Sequence, residues 1–237
     1  MASAHLLMDF PPRGWFWWFY AHLYDAIWDS PLTQVMNDRI FSVCGSTGVG
    51  IDLGCGTGLS SASLTRRGWI MIGVDSSRVM ALRALTSRRV AKVIEADASA
   101  VQIADNSFDL VVVSNILHLH KDPFGVLNEA NRLVTPQALI ACVWPVDSLS
   151  LWTIFHYERR SKRSLAQSWK ALILRAIIGI AGVSVSARLR SSTAVKGLLL
   201  EWMDSHPIDI VDYGCTGIEE FVIVRNVSKG GLGQHRD

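Results

Sequence analysis

The segment IDLGCGTGLSS, residues 51–61, places three glycines between a short apolar run and the start of an amphipathic run. The apolar run predicts a buried strand, and the amphipathic run predicts a helix. Glycine has no Cβ, so a backbone built from it adopts positive φ and approaches a ligand closely. A strand, a glycine loop and a helix in this order predict either a tight turn or a ligand-binding loop.

The alternation of short apolar runs and longer amphipathic runs continues along the chain. Almost wholly apolar strands separated by helices are typical of a parallel sheet that is covered on both faces, which is a doubly wound α/β fold. Two last strands around a glycine-containing turn predict an antiparallel hairpin. The predicted strands are 48–54, 69–75, 91–97, 108–115, 137–145, 208–214 and 219–227, and the predicted helices are 59–68, 77–88 and 123–134, followed by a mostly helical region up to residue 205.

Composition excludes several classes of protein. The chain has 237 residues, of which 49% are hydrophobic, so it can bury a full core and is predicted to form one globular unit. A net charge of +2 does not indicate a nucleic-acid-binding protein. Four scattered cysteines predict no metal site and no disulfide framework, which favours a reduced, cytoplasmic protein. The apolar stretch 176–187 is far shorter than the roughly 18 residues that a membrane span needs, and the aromatic N-terminal run lacks the features of a secretion signal.

Three acidic residues lie at the ends of successive predicted strands. Asp75 follows the glycine loop at the distance where an acid accepts hydrogen bonds from a ribose diol. Asp97 ends the next strand, where an acid can bind the exocyclic amine of an adenine. Asp52 stands beside the glycine loop, where its charge would repel a pyrophosphate and attract an amine or a sulfonium. The acids predict a cationic ligand that contains adenosine, and helix capping by Asp75 is the alternative.

The runs IDLGCGTG, GVDSS, EADAS and FDLVVVSNILHLHKDP resemble, in order and spacing, the motifs of class I S-adenosylmethionine-dependent methyltransferases. The resemblance is dense from Val49 to Trp144 and looser over the final hairpin. It implies a methyltransferase domain over residues 48–227, with a seven-stranded sheet whose last strand is reversed. It also implies that the cofactor is S-adenosyl-L-methionine.

The resemblance also implies which residues hold this cofactor. Asp52 and the glycine-loop backbone would face its methionine part, Asp75 its ribose and Asp97 its adenine. The full expected set is Asp52, Gly54, Cys55, Gly56, Gly58, Asp75, Ser76, Asp97, Ala98 and Ser114.

Methyl transfer from a sulfonium is an in-line displacement, so catalysis can rest largely on positioning the acceptor. If the acceptor is a hydroxyl group, a base that removes its proton assists, and histidine is the usual candidate. The run NILHLHKDP, residues 115–123, supplies His118 and His120, of which His118 is the predicted base and a structural role is the alternative. The two side chains would point the same way from an extended segment but not from a helical one.

The regions outside the motifs are expected to select the acceptor. Residues 1–47 resemble the N-terminal helix that closes over the cofactor in relatives such as quinone and phospholipid methyltransferases. Tyr20, Tyr24 and Trp28 follow one another at helical spacing and can share one face, either as an aromatic lid over an apolar acceptor or as part of the core.

The predicted helical insert 148–205 is basic and apolar, because residues 158–196 contain nine Lys or Arg against one acid. It fits a cap over a small lipophilic acceptor or a segment that rests on an anionic membrane, and we favour the cap because its apolar residues surround the helix. The tail 228–237 has no apolar periodicity and is predicted to be disordered.

The sequence therefore predicts an S-adenosylmethionine-dependent methyltransferase that acts on a small lipophilic acceptor. The alternatives are a membrane-associated lipid methyltransferase and a catalytically silent protein that binds the cofactor. A dinucleotide-dependent oxidoreductase is disfavoured, because Asp52 would repel the pyrophosphate.

Overall fold

The computed structural model describes residues 24–25, 28–29, 31–147, 190–216 and 219–227. The elements in chain order are α1 (Pro31–Ile40), a 3-10 helix (Phe41–Cys44), β1 (Gly48–Leu53), α2 (Leu59–Arg66), β2 (Trp69–Asp75), α3 (Arg78–Thr86), β3 (Lys92–Glu95), β4 (Phe108–Ser114), α4 (Pro123–Leu133), β5 (Val134–Pro145), α5 (Ser192–Asp204), β6 (Ile208–Cys215) and β7 (Glu219–Asn226).

The strands form one sheet in the order β3-β2-β1-β4-β5-β7-β6. Strands β1 to β5 are parallel to one another, whereas β7 is antiparallel to both β5 and β6. The predicted doubly wound α/β fold, its seven strands and its antiparallel hairpin are confirmed. The strand order runs outward from β1 to β3 on one side and continues from β4 on the other side of β1. Ligands of such sheets bind at the carboxyl ends of the strands where the order reverses in this way.

The central strands of the sheet are buried on both faces because most of their residues are apolar. In β4, Val111 and Val113 pack towards α4 and α5. Leu110 and Val112 point the other way, into the layer that α1, α2 and α3 cover. None of these four side chains is exposed to solvent.

Some element boundaries differ from the predicted ones. β3 is shorter, since it ends at Glu95 and leaves Asp97 in the loop that follows. β5 begins at Val134, directly after α4, and not at Gln137. Within the predicted insert, residues 192–204 form a helix, and residues 148–189 lie outside the described part of the chain.

Most of the predicted lid and all of the predicted tail lie outside the described residues, so these two assignments stay predictions. Among the helices that the structure describes, none has the length and hydropathy of a membrane span.

Candidate functional site

The glycine loop follows β1 at the carboxyl edge of the sheet. The backbone N–H groups of Gly54 and Cys55 both donate to the Val74 carbonyl of β2, at 2.8 Å. Gly54 has φ +74°, and a Cβ at this position would lie 2.3 Å from Cδ1 of Ile116. Gly56 has φ +54°, and a Cβ there would meet nothing within 4 Å. The loop is therefore packed tightly on one side and leaves open space beside Gly56 on the other.

Asp75 ties this loop to the end of β2. One carboxylate oxygen accepts a hydrogen bond from the Gly56 N–H at 2.8 Å, and the other accepts one from the Ser77 N–H at 2.7 Å. Burial raises the pKa of this carboxyl. A carboxylate accepts about four hydrogen bonds, so Asp75 supports the loop and retains acceptor sites for a diol. Ser76, its predicted neighbour in the site, is exposed.

Asp52 is the most buried acid of the site, with 1% of its surface exposed. Ser61 of α2 donates to Oδ2 at 2.6 Å, while Oδ1 is buried and has no hydrogen-bond partner among the described residues. Burial, together with the nearby charge of Asp75, raises the pKa of Asp52 to about 7. A carboxylate oxygen buried without a partner fits a cationic ligand group, and this supports the expected sulfonium cofactor.

Asp97 lies in a cluster of donors after β3. Its Oδ1 accepts hydrogen bonds from the backbone N–H and the hydroxyl of Ser99, at 3.0 and 2.6 Å. His120 Nε2 lies 3.0 Å from the same oxygen, and Lys121 Nζ lies 3.4 Å from Oδ2. The Ser99 hydrogen bonds hold the pKa of Asp97 well below its usual range. Ala98, the other predicted adenine neighbour, is buried.

The two histidines after β4 point to different places, because the segment that carries them turns. The N–H groups of Leu119 and His120 both donate to the Ile116 carbonyl, at 2.9 and 2.8 Å. His120 contacts Asp97, which the sequence did not predict. His118 is partly buried, its Nδ1 has no hydrogen-bond partner among the described residues, and burial lowers its pKa to about 4.

Ser114 ends β4 beside the glycine loop. The Ser60 hydroxyl, at the start of α2, donates to Oγ of Ser114 at 2.8 Å. The structure therefore brings most of the predicted set together along the carboxyl edge of β1, β2 and β4, and places Asp97 in the loop beyond β3.

Sequence reasoning missed a polar pair beyond Ser114. Asn115 has φ +56°, and its Nδ2 donates to Oε1 of Glu219 at 2.7 Å. Oε2 of Glu219 is buried without a hydrogen-bond partner among the described residues, and burial raises the pKa of this carboxyl. The two residues are 104 positions apart, so no local pattern could have indicated the pair.

The described part of the N-terminal segment is held beside the glycine loop by ion pairs. Arg83 and Arg89 donate to Asp25 at 2.6 and 2.9 Å, and Arg89 also pairs with Asp29 at 2.6 Å. The Arg89 guanidinium donates to the Thr57 carbonyl of the loop at 3.0 Å. Arg89 therefore connects this segment directly to the loop.

Two of the three predicted lid aromatics lie in the described residues. The ring centroids of Tyr24 and Trp28 are 6.4 Å apart, which agrees with the shared face expected from their spacing. Tyr20 lies outside the described residues.

Comparison with known proteins places this geometry among methyltransferases. Residues 51–142 match the family model described as "Methyltransferase domain". The demethylmenaquinone methyltransferase of Corynebacterium kroppenstedtii is 31% identical over 109 residues, which are 46% of this chain and 47% of that protein. An uncharacterized methyltransferase of Mycobacterium tuberculosis is 34% identical over 95 residues, 39% of this chain and 48% of that protein. The chain thus spans about half the length of the curated relatives it matches.

Solved structures extend the likeness to most of the chain. A candidate S-adenosyl-L-methionine-dependent methyltransferase of Methanococcus maripaludis superposes with a TM-score of 0.66 at 14% identity, covering 89% of this chain and 92% of that one. An N-methyltransferase of Bradyrhizobium japonicum in complex with S-adenosyl-L-homocysteine gives a TM-score of 0.55 at 15% identity, covering 84% and 90%. At these identities the likeness establishes the fold.

Proposed function

Residues 51–142 form a class I S-adenosylmethionine-dependent methyltransferase domain, and on this premise we propose that the protein transfers a methyl group from S-adenosyl-L-methionine to a small lipophilic acceptor in the cytoplasm. One observation carries the proposal. Oδ1 of Asp52, near the end of β1, is buried and has no hydrogen-bond partner among the described residues. The glycine loop that follows β1 has open space at Gly56, and Asp75 ends β2 at the same edge of the sheet. A cationic ligand with ribose hydroxyls fits this arrangement better than a pyrophosphate does.

We assign the cofactor-binding residues the roles that the sequence predicts. Asp52 attracts the charged methionine part, Asp75 accepts hydrogen bonds from the ribose, and Asp97 accepts one from the adenine amine. His120, whose Nε2 lies 3.0 Å from Oδ1 of Asp97, holds Asp97 in position for that contact. Ala98 packs against the adenine, and Ser114 closes the site towards the acceptor.

The cofactor supplies an electrophilic methyl group when bound, so the chain has to orient the acceptor and exclude water. The proposed aromatic lid of Tyr20, Tyr24 and Trp28 serves both purposes for an apolar acceptor. The ion pairs of Arg89 support this role, because they hold the N-terminal segment next to the glycine loop. The relatives named demethylmenaquinone methyltransferase support an acceptor with a fused aromatic ring.

His118 remains a proposed base for removal of the acceptor proton. Its pKa of about 4 keeps the ring neutral at physiological pH, as a base requires. The same low pKa makes it a weak proton acceptor, since the efficiency of a base falls as its pKa drops below the working pH.

Calorimetry with the purified chain tests the cofactor. S-adenosyl-L-homocysteine is expected to bind with micromolar affinity and NAD not at all. Binding of NAD without binding of S-adenosyl-L-homocysteine would contradict the methyltransferase proposal.

Mass spectrometry tests the acceptor. The purified chain, given S-adenosyl-L-methionine and a short-chain demethylmenaquinol, is expected to yield a product that is heavier by a methyl group.

Cofactor binding without methylation of any lipophilic acceptor would favour a catalytically silent protein. Cosedimentation with anionic vesicles that salt abolishes would favour a membrane lipid as the acceptor.

A further inference from the structure

Glu219 lies at the same edge of the sheet as the glycine loop. β7 is antiparallel to β5, and Glu219, its first residue, is opposite Pro145, the last residue of β5. The beginning of β7 therefore lies at the carboxyl ends of the parallel strands, where ligands of this fold bind.

Glu219 also points to the same face of the sheet as the predicted cofactor residues. Side chains alternate along a strand, so Glu219 shares the face of Phe221, and Ser114 shares that of Val112. Phe221 and Val112 belong to one core cluster, on the side that α1, α2 and α3 cover. Asp52 is on this side too, because Ser61 of α2 donates to it.

Two strand spacings separate the strand that carries Ser114 from the strand that carries Glu219. β5 separates β4 from β7, and neighbouring strands lie about 4.8 Å apart. Glu219 is therefore about 10 Å along the sheet from the strand that ends at Ser114. An aromatic ring system of one or two rings spans such a gap.

The carboxyl of Glu219 is oriented but only half satisfied. Asn115 holds Oε1 at 2.7 Å and adopts φ +56° to do so, a conformation that few residues other than glycine tolerate. Oε2 is shielded from solvent and has no hydrogen-bond partner among the described residues. A buried polar atom in this state is costly unless a ligand supplies the missing hydrogen bond.

We propose that Glu219, positioned by Asn115, binds a hydroxyl group of the acceptor through Oε2 and takes its proton during methyl transfer, in place of His118. The inference rests on the proposed methyltransferase function and narrows its acceptor to a hydroxylated ring. The acceptor oxygen forms the bond to the methyl carbon, the sulfur–carbon bond breaks with its electron pair left on sulfur, and the hydroxyl proton passes to the carboxylate. Burial raises the pKa of Glu219, which makes it a better proton acceptor than an exposed carboxylate.

A pair of fluorescent probes tests the proposal without knowledge of the natural acceptor. α-Naphthol carries a hydroxyl group, and α-methylnaphthalene has a methyl group in its place. We expect the protein saturated with S-adenosyl-L-homocysteine to bind α-naphthol about tenfold more tightly, because a hydrogen bond to a carboxylate is worth that factor. Glu219→Gln should reduce the preference to about twofold and leave the affinity for α-methylnaphthalene unchanged, since a neutral amide accepts more weakly.

Glu220→Gln is the matched control. Glu220 is the next residue of β7 and points to the opposite face, where Ser192 and Lys196 contact it. The Glu220→Gln protein should keep the full preference for α-naphthol. Thermal denaturation of both variants checks that the strand is intact, and Asn115→Ala provides a second variant that should lower the preference without removing the carboxyl.

The outcomes separate this proposal from the proposed function. A Glu219→Gln variant that keeps the preference, or a wild-type protein without one, would overturn the role of Glu219. Failure of the wild-type chain to bind S-adenosyl-L-homocysteine would contradict the proposed function instead. The naphthol comparison is then made on the free protein, where it still decides whether Glu219 binds a hydroxyl group.

Discussion

The carboxyl edge of the sheet has two halves that are held together differently. In the half formed by β1, β2 and the loop after β3, the polar contacts join residues that are close in sequence. Asp75 is 19 positions from Gly56 and two from Ser77, and Asp52 is nine positions from Ser61. This cofactor half is largely completed by its own segment of the chain.

The other half, called the acceptor half after the proposed role of Glu219, is formed by the ends of β4, β5 and β7 with residues 190–193. It depends on distant contacts. Asn115 and Glu219 are 104 positions apart, and Arg190 donates to the His120 carbonyl across 70. Trp144 donates to Glu220 across 76 positions. We therefore expect changes in the cofactor half to lower cofactor affinity, and changes in the acceptor half to leave cofactor affinity unchanged.

Asp75→Ala is expected to lower cofactor affinity more than any other change described below. It removes two hydrogen bonds that fix the glycine loop, each worth about 1.5–3 kcal/mol to a charged acceptor, together with the proposed ribose contacts. The dissociation constant of S-adenosyl-L-homocysteine should rise at least about a hundredfold in calorimetry. Glu95 is exposed and pairs with Asp75 across strands β2 and β3. Glu95→Ala should leave this dissociation constant unchanged. Unchanged affinity in a folded Asp75→Ala protein would reduce Asp75 to a turn-capping residue.

Arg89→Ala probes whether the N-terminal segment belongs to the cofactor half. The change breaks the ion pairs to Asp25 and Asp29 and the hydrogen bond to the Thr57 carbonyl. We expect unfolding in urea to become easier by about 2 kcal/mol, less than for a fully buried pair because these side chains retain some solvent contact. The affinity for S-adenosyl-L-homocysteine should fall several-fold, while the exposed Arg78→Ala control changes neither quantity. A loss of stability with full affinity would separate the segment from the site.

The pH dependence of cofactor binding isolates Asp52. Its pKa is about 7 in the free protein, and a bound ammonium group favours the charged carboxylate. Affinity for S-adenosyl-L-homocysteine should therefore rise with pH up to about 7, by at most about tenfold per pH unit. Asp52→Asn should bind more weakly and without this slope, and a slope that persists in the variant would assign it to another group.

The raised pKa of Asp52 also predicts how the free protein responds to pH. The folded state holds this proton more tightly than the unfolded chain does, so the stabilisation is complete below the ordinary carboxyl pKa and is lost as pH rises through about 7. The melting temperature of the Asp52→Asn protein should not show this loss of stability as pH rises.

The smallest effect is expected from Ser192→Ala in the acceptor half. The buried Ser192 hydroxyl donates to Glu220 at 2.7 Å and receives a hydrogen bond from the Trp144 indole at 2.9 Å. Its loss should lower the free energy of unfolding by about 1 kcal/mol, because Glu220 still accepts from Trp144. The affinity for S-adenosyl-L-homocysteine should stay the same, as it should in the exposed Thr193→Ala control. A drop in affinity would show that the two halves are coupled.

The same contrast explains which parts of the molecule the sequence predicts. The strand, glycine loop and helix of residues 48–66 leave a local pattern, since apolar periodicity and glycine choice are both short-range effects. Asp52 and Asp75 follow from this pattern, because a residue that ends a parallel strand must lie at the carboxyl edge. The predicted fold is confirmed for this reason, while the cofactor-binding role of these residues stays a prediction.

The acceptor half carries no comparable signal. Glu219 is readable as the first residue of a strand, but its partner depends on the register of β7 against β5, which involves residues about 80 positions apart. The turn after β4 likewise brings His120 to Asp97, and Ile116 in this turn packs tightly on Gly54, which is more than 60 positions away in the sequence. Tertiary contacts, and not local preference, fix these side chains.

The position of β7 between β5 and β6 has a consequence for synthesis of the chain. β7 is the last of the seven strands in chain order, yet it is an interior strand, so β5 keeps an unpaired edge until β7 has been made. A ribosome needs about 4 to 15 s for the roughly 75 residues between the end of β5 and Glu219. During this interval the nascent chain holds the strands of the proposed cofactor site next to an open apolar strand edge, which is the state most exposed to aggregation and to capture by chaperones.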